Sequence, residues 1–178
     1  MNSAPDEQPS SPTQRNLATA IGRVAAAMAQ QMSTGELAEL RRFQLDGISP
    51  TFFRCLVNYV EPAWPLPGSE AARNEAERRW AAILSGMARL PHRKGASFGR
   101  VAAKSGLSEL RFLRLLRDRG QTLAATLRGV VHFLASRGDA VDWLDLAKLV
   151  LSEGQDWGEA VRRSLARDYY RQTKQLEA

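Results

Sequence analysis

The sequence predicts an all-α fold, and three observations carry that prediction. Apolar residues recur at three- and four-residue spacing along most of the chain. No stretch of useful length alternates with period two, and β-branched residues are scattered rather than clustered. The chain has 178 residues. At that size roughly 70% of the unfolded surface can be buried, so neither a metal nor a disulfide is needed for folding. We expect a two-lobed bundle of about eight to nine helices: a disordered tail over 1–13, an N-terminal lobe over 14–92 and a C-terminal lobe over 93–178.

The tail, MNSAPDEQPSSPTQ, is rich in Pro, Ser and polar groups and has no apolar periodicity to offset the cost of ordering. Over 15–32, Leu17, Ile21, Val24 and Met28 fall at helical spacing, and Ser33-Thr34-Gly35 is read as a break. A short helix is expected over Glu36–Phe43, with Leu37 and Leu40 inward. Ser49-Pro50 marks the next start, because Ser caps and Pro tolerates the first turn. That helix carries Phe52, Phe53, Leu56, Val57 and Val60 and stops at Pro62. Three prolines over 62–67 forbid helix. Ser69 then opens a long helix to about Leu90, with Trp80, Ile83, Leu84 and Met87 as its stripe.

Pro91-His92-Arg93-Lys94-Gly95 is a basic break and the expected lobe boundary. Beyond it, helices are expected over Ser97–Lys104, Ser108–Arg117, Thr122–Ala135, Asp142–Ser152 and Asp156–Lys174. Ser97, Ser108, Asp142 and Asp156 are the N-cap candidates, and Gly106, Gly120, Gly138 and Gly154 the stops.

Catalytic chemistry lacks a recognisable set. There is no glycine-rich phosphate loop and no GxGxxG after a strand. His92 and His132 are 40 residues apart, with no Cys/His cluster for zinc. Cys55 lies in an apolar run and reads as a buried structural thiol. Asp142 and Asp145 read as a helix cap and a first-turn acid rather than a metal pair. We therefore expect no enzyme activity, no cofactor and no metal. A single cysteine, the absence of a ~20-residue apolar run and a tail unlike a signal sequence lead us to expect a cytoplasmic protein away from membranes.

Charge is the informative feature. The net charge is +6 and the pI about 10.1. Ten basic residues lie between Arg89 and Arg128 against two acids, Glu109 and Asp118, and the rest of the chain nets −2. In SELRFLRLLR, Phe112, Leu113 and Leu116 share one helical face, while Arg111 and Arg114 lie opposite and Arg117 flanks them. Arg100 and Lys104 stand one turn apart on the preceding helix. Arg93, Lys94 and Arg119 sit in the flanking loops, and Arg128 lies further along. Solvated faces usually alternate in sign, and this one does not, so a polyanion is the expected partner. Phe98 and Phe112 fall at core positions, which argues against base stacking and for phosphate contacts that are sequence-tolerant and salt-sensitive.

VAAKSGLSELRFLRLL also has the layout of a helix-turn-helix. A dimeric transcriptional regulator binding duplex DNA is therefore the alternative reading. Against it, Leu110, Phe112 and Leu113 crowd the turns that should read base edges, leaving Glu109, Arg111 and Arg114. A third class is a scaffold for acidic proteins that binds no RNA.

GELAELRR (35–42), SPTFFRCLV with Pro62 (49–62), GASFGRVAAKSGLSELRFLRLLRDR (95–119), VDWLDLAKLVL (141–151) and RDYYRQT (167–173) occur in this order. Together they resemble the small subunit of the type I-E CRISPR Cascade, the CasB family, from about Gly35 to the C-terminus. The N-terminal tail is longer than in shorter relatives. The resemblance implies a two-lobed helical protein that dimerises inside a guide-RNA surveillance complex. There it would contact guide RNA, target DNA and the displaced strand, beside other Cascade subunits. Family-like basic positions are Arg42, Arg54, Arg100, Arg111, Arg117 and Arg128; Lys104 and Arg114 are basic here but vary in the pattern. Arg54, in an apolar helix, is alternatively an internal ion-pair partner.

Overall fold

In a computed structural model, residues 12–43 and 47–177 are described, with side chains from residue 16 onward. The expected disorder of the tail lies outside this range for residues 1–11. Among the described residues the chain is helical without strands: α1 (Pro12–Gln30), α2 (Thr34–Arg42), α3 (Pro50–Cys55), α4 (Glu70–Met87), α5 (Phe98–Lys104), α6 (Glu109–Arg117), α7 (Gly120–Ser136), α8 (Trp143–Leu151) and α9 (Gly158–Leu176). A π-helical turn, Leu56–Val60, continues α3.

The apolar stripes read from the sequence form one contiguous core, running from Leu17 and Ile21 on α1 through Trp80 and Leu84 on α4 to Leu165 and Tyr169 on α9. α1 begins at Pro12, earlier than expected. α2 begins at Thr34, not Glu36, so Thr34 and Gly35 are helical rather than a break. The reason is a capping box: the Ser33 hydroxyl accepts from the Glu36 N–H, and the Glu36 carboxylate accepts from the Ser33 N–H at 2.8 Å.

Of the apolar residues on this helix, Val57 is 57% exposed. The Glu61 N–H donates to the Leu56 carbonyl at 2.8 Å, an i→i+5 bond. That wider turn rotates the face, carrying Val60 into the core and Val57 out of it.

Several expected N-caps act differently. The Asp142 carboxylate does accept from the Leu144 N–H. Ser69, Ser97 and Ser108 occupy the cap position without a side-chain cap bond. The Ser97 hydroxyl donates instead to Asp168 at 2.6 Å, and the opening of α5 is capped from α8, where Asp145 accepts from the Phe98 N–H at 2.9 Å. Burial pushes the Asp145 carboxyl above the usual range. Asp156 is not a cap; α9 starts later, at Gly158. Gly106, Gly138 and Gly154 do take positive φ, whereas Gly120, also at positive φ, opens α7 rather than ending α6.

α5 and α9 pack most tightly. Gly99 permits it: a Cβ there would stand 2.5 Å from the Leu165 carbonyl oxygen. Phe112 on α6 stacks on Tyr169 at 4.1 Å between centroids, and the Tyr169 hydroxyl donates to the Leu107 carbonyl. α5, α6 and α9 are thereby locked into one platform.

Candidate nucleic-acid interface

α6 is the centre of the basic segment, and its orientation follows from its sequence. Phe112, Leu115 and Leu116 are buried, Leu113 is half-buried, and Arg111, Arg114 and Arg117 are exposed. At about 100° per residue the three arginines span roughly 120° of the opposite face. The last turn of α6 is held from two directions. Arg119 Nη1 donates to the carbonyls of Leu116, Arg117 and Asp118 at 3.1, 2.6 and 2.8 Å. Buried Arg162 donates through Nε to Leu116 at 3.0 Å. Cations on these carbonyls complete the helix end and oppose its negative pole.

Every basic residue predicted from the sequence is exposed: Arg42, Arg54, Arg93, Lys94, Arg100, Lys104, Arg111, Arg114, Arg117, Arg119 and Arg128. Three of them keep carboxylate partners, against the expectation of an acid-free cluster. Arg54 pairs with Glu36 at 2.6 Å, as its place in an apolar helix allowed. Arg114 lies 3.7 Å from Asp118, and Arg119 lies 3.5 Å from Glu159. Asp118 also accepts from Thr126, which fixes it beside α6. Among the described residues no ion pair involves Arg42, Arg93, Lys94, Arg100, Lys104, Arg111, Arg117 or Arg128.

The fold distributes these side chains over several elements. Arg111, Arg114 and Arg117 share α6, and Arg100 and Lys104 share α5, one turn apart. Arg93 and Lys94 precede α5 in a loop pinned to α8: the Arg93 N–H donates to the Val141 carbonyl, and the Gly95 N–H to Asp142. Arg42 and Arg54 belong to α2 and α3. Arg128, on α7, faces Arg89 at the end of α4, with Arg41 beside them. Burial, then the charges of Arg41 and Arg128, lower the proton affinity of Arg89. Arg41 and Arg89 were absent from the predicted set. Arg89 belonged to the counted run of charge, but nothing in sequence order joins Arg41 to Arg128.

Leu110 was expected to crowd the first turns of α6 and was not counted among its exposed residues; it is 77% exposed. Its angular position falls between Arg114 and Arg117, a placement the helical wheel already contained. Phe98 and Phe112 are fully buried, as expected, so neither offers a stacking surface; the exposed aromatic beside α6 is Tyr170, whose hydroxyl donates to Glu109. Cys55 is buried, and burial pushes its thiol up to about 12. Among the described residues no cluster of His, Cys, Asp or Glu has the makings of a metal site. No described helix is long and apolar enough to cross a membrane.

Comparison with known proteins bears on this arrangement. No curated protein sequence matches the chain. A chain in the crystal structure of E. coli Cascade bound to a PAM-containing double-stranded DNA target is similar, with 26% identity and a TM-score of 0.63 over 85% of this chain and 95% of that one. M. ruber CasB shares the fold at 19% identity, with a TM-score of 0.69 over 89% and 96%. So does a chain of a CRISPR RNA-guided surveillance complex, at 21% identity and a TM-score of 0.62 over 93% and 97%. The model of the CRISPR-associated protein Cse2 family matches residues 36–170, from within α2 through most of α9. The chain belongs to the Cse2 family, the CasB-type subunits of CRISPR Cascade.

Proposed function

We propose that this subunit is non-catalytic and holds nucleic-acid backbones within Cascade. On this reading it contacts guide RNA and target DNA, steadies the R-loop and the displaced strand in antiviral defence, and acts as a cytoplasmic homodimer. The observation that carries the reading is the α6 face, where Arg111 and Arg117 project from a helix braced at its end and keep no carboxylate partner among the described residues. Arg100 and Lys104 extend the same character along α5.

The physical logic is economical. Base pairing reads sequence in an RNA-guided complex, so a protein surface need only hold backbones and single strands by charge. Opening the target duplex is close to energy-neutral, and a few phosphate contacts are enough to tip it. Guanidinium groups on a rigid helix suit phosphate oxygens, which carry no sequence information. The expected lobe boundary at 92/93 places this surface in the C-terminal half.

The test is Arg111→Ala with Arg117→Ala in the full chain. Two lost phosphate contacts should lower the slope of log K against log salt by about 1.8 for duplex or about 1.4 for single strand. The variant should still enter Cascade yet hold the displaced strand less well. Unchanged strand holding would refute the surface.

The helix-turn-helix layout is present in α5, the turn at Gly106 and α6. Tyr170 engages Glu109 at 2.6 Å, which removes one of the few side chains available to base edges. A regulator would prefer one selected duplex to random DNA at two salt concentrations; the backbone-binding reading expects no such preference.

A further inference from the structure

α4 and α7 run side by side and leave a groove of about 580 Å³ between them. Its α4 wall runs from Glu75 to Arg89, about 21 Å at 1.5 Å per residue. The accessible floor is made of small groups, half-buried Ala82 and Ala124 and exposed Ala125, laid over buried Leu127 and Val131. Such a floor lets a helix backbone approach closely and offers apolar side chains somewhere to go.

The two ends of the groove differ electrostatically. At the Glu75 end the cations are already satisfied. Arg79 donates to Glu75 at 3.0 Å and to the Glu153 carbonyl at 3.1 Å, while the Glu153 carboxylate accepts from the Gly120 N–H at 2.7 Å. At the other end Arg89 and Arg128 face each other, and Arg89 Nη2 donates to the Arg41 carbonyl at 3.2 Å. Arg41 in turn donates to the Ala88 carbonyl at 2.7 Å. None of these three guanidinium groups has a carboxylate partner among the described residues, and their mutual repulsion favours an anion between them.

This asymmetry distinguishes one occupant from another. A nucleic-acid strand carries a phosphate at every step and would meet Glu75 and Glu153 at the far end. An amphipathic helix with carboxylates confined to one end satisfies both ends at once. We propose that the groove between α4 and α7 receives such a helix from a sister subunit of Cascade, its apolar face on the small-residue floor and its acidic end on Arg41, Arg89 and Arg128. The proposal rests on membership of the assembly and is independent of the α5–α6 surface.

The experiment uses the full chain co-expressed with guide RNA and its sister subunits. Ala125→Trp plugs the groove without changing charge, and Arg89→Glu with Arg128→Glu reverses its cationic end; thermal melts confirm folding of both. Each should reduce the amount of this chain in the purified assembly at least ten-fold, while Ala125→Trp leaves the isolated chain's affinity for a single-stranded oligonucleotide unchanged. A photo-crosslinking residue at Gln121 should attach to a helix of a sister subunit that carries acids at one end. Wild-type incorporation of the folded variants would overturn the proposal. So would crosslinks to nucleic acid or to a second copy of this chain, or an absence of crosslinks in the intact assembly. The Arg111/Arg117 variant reads strand holding and the groove variants read incorporation, so either reading can fail alone.

Discussion

Gly86→Ala offers a direct test of how the helices are fitted together. Gly86 lies in the last turn of α4 with the indole of Trp143 against it. A Cβ there would stand 2.2 Å from Cη2 and 2.9 Å from Cζ2 of that ring. Ordinary carbon contacts need about 3.5–4.0 Å, so either the ring or the helix must move by about 1.5 Å. The ring has little freedom. Trp143 is fully buried, its Nε1 donates to the Leu90 carbonyl at 2.7 Å, and its backbone N–H donates to His92 Nδ1 at 3.1 Å. Overpacking costs about 1–3 kcal/mol, and a buried indole N–H pulled from its acceptor costs about 1–3 more. Alanine returns about 1 kcal/mol of helix propensity. The expected net loss is about 1–5 kcal/mol, or roughly 3–15 °C in Tm for a chain of this size. Urea denaturation of Gly86→Ala beside Gly129→Ala reads it. Gly129 is also inside a helix, α7, but a Cβ there meets nothing within 4 Å, so that change should be neutral or stabilise by up to about 1 kcal/mol. If both variants gained stability alike, the close packing of α4 on α8 would be wrong.

The pH dependence of stability isolates His92. Burial lowers its proton affinity, with Lys94 adding to the effect and Asp142 opposing it. The folded chain thus takes up this proton less readily than the unfolded one, so stability is full above the ordinary imidazole value of about 6.5 and drains as pH falls below it. Glu36 and Glu39 are held low by hydrogen bonds, chiefly from Ser33 and from Ser49, and lose their contribution only below about 4.5. Asp145, pushed up by burial, works in the opposite sense, so the comparison needed is wild type against His92→Asn. The wild-type Tm should fall more than the variant's between pH 7 and 5.5; parallel curves would refute the assignment. Cys55, with its thiol pushed up to about 12, should resist alkylation at pH 8 until urea unfolds the chain, and rapid native labelling would contradict its burial.

The helices and their inward faces were legible because 3.6-residue periodicity is a local property. Leu17, Ile21 and Val24 on α1, and Trp80, Ile83 and Leu84 on α4, are buried as their spacing requires. What the local pattern did not show has causes outside it. The π turn leaves Val57 exposed, although Phe53 and Val57 are an ordinary four-residue pair. Ser97 was in a capping position, but Asp168, 71 residues away, took its hydroxyl, and Asp145 from α8 took over the cap. The candidate surface shows the same division. Exposure of Arg111 and Arg117 could be read from α6 alone. The meeting of Arg41, Arg89 and Arg128 depends on the packing of α2, α4 and α7, and the pairing of Arg119 with Glu159 depends on the docking of α9.

Counting charge along the sequence treats all arginines alike, and the fold does not. Arg119, just beyond α6, commits its guanidinium to three carbonyls at the end of that helix, whereas Arg111, on α6 itself, makes no side-chain hydrogen bond or ion pair among the described residues. The two residues should therefore separate stability from binding. Arg119→Ala strips the α6 terminus of a charged donor and should cost about 1–2 kcal/mol; its exposed contact with Glu159 adds little. Its effect on the salt slope should be small. Arg111→Ala should leave the urea midpoint within about 0.5 kcal/mol of wild type and lower the duplex salt slope by about 0.9. Were Arg119→Ala to weaken strand binding as much as Arg111→Ala at unchanged stability, the loop guanidinium would be a phosphate ligand. The α6 terminus would then owe its order to Arg162 alone.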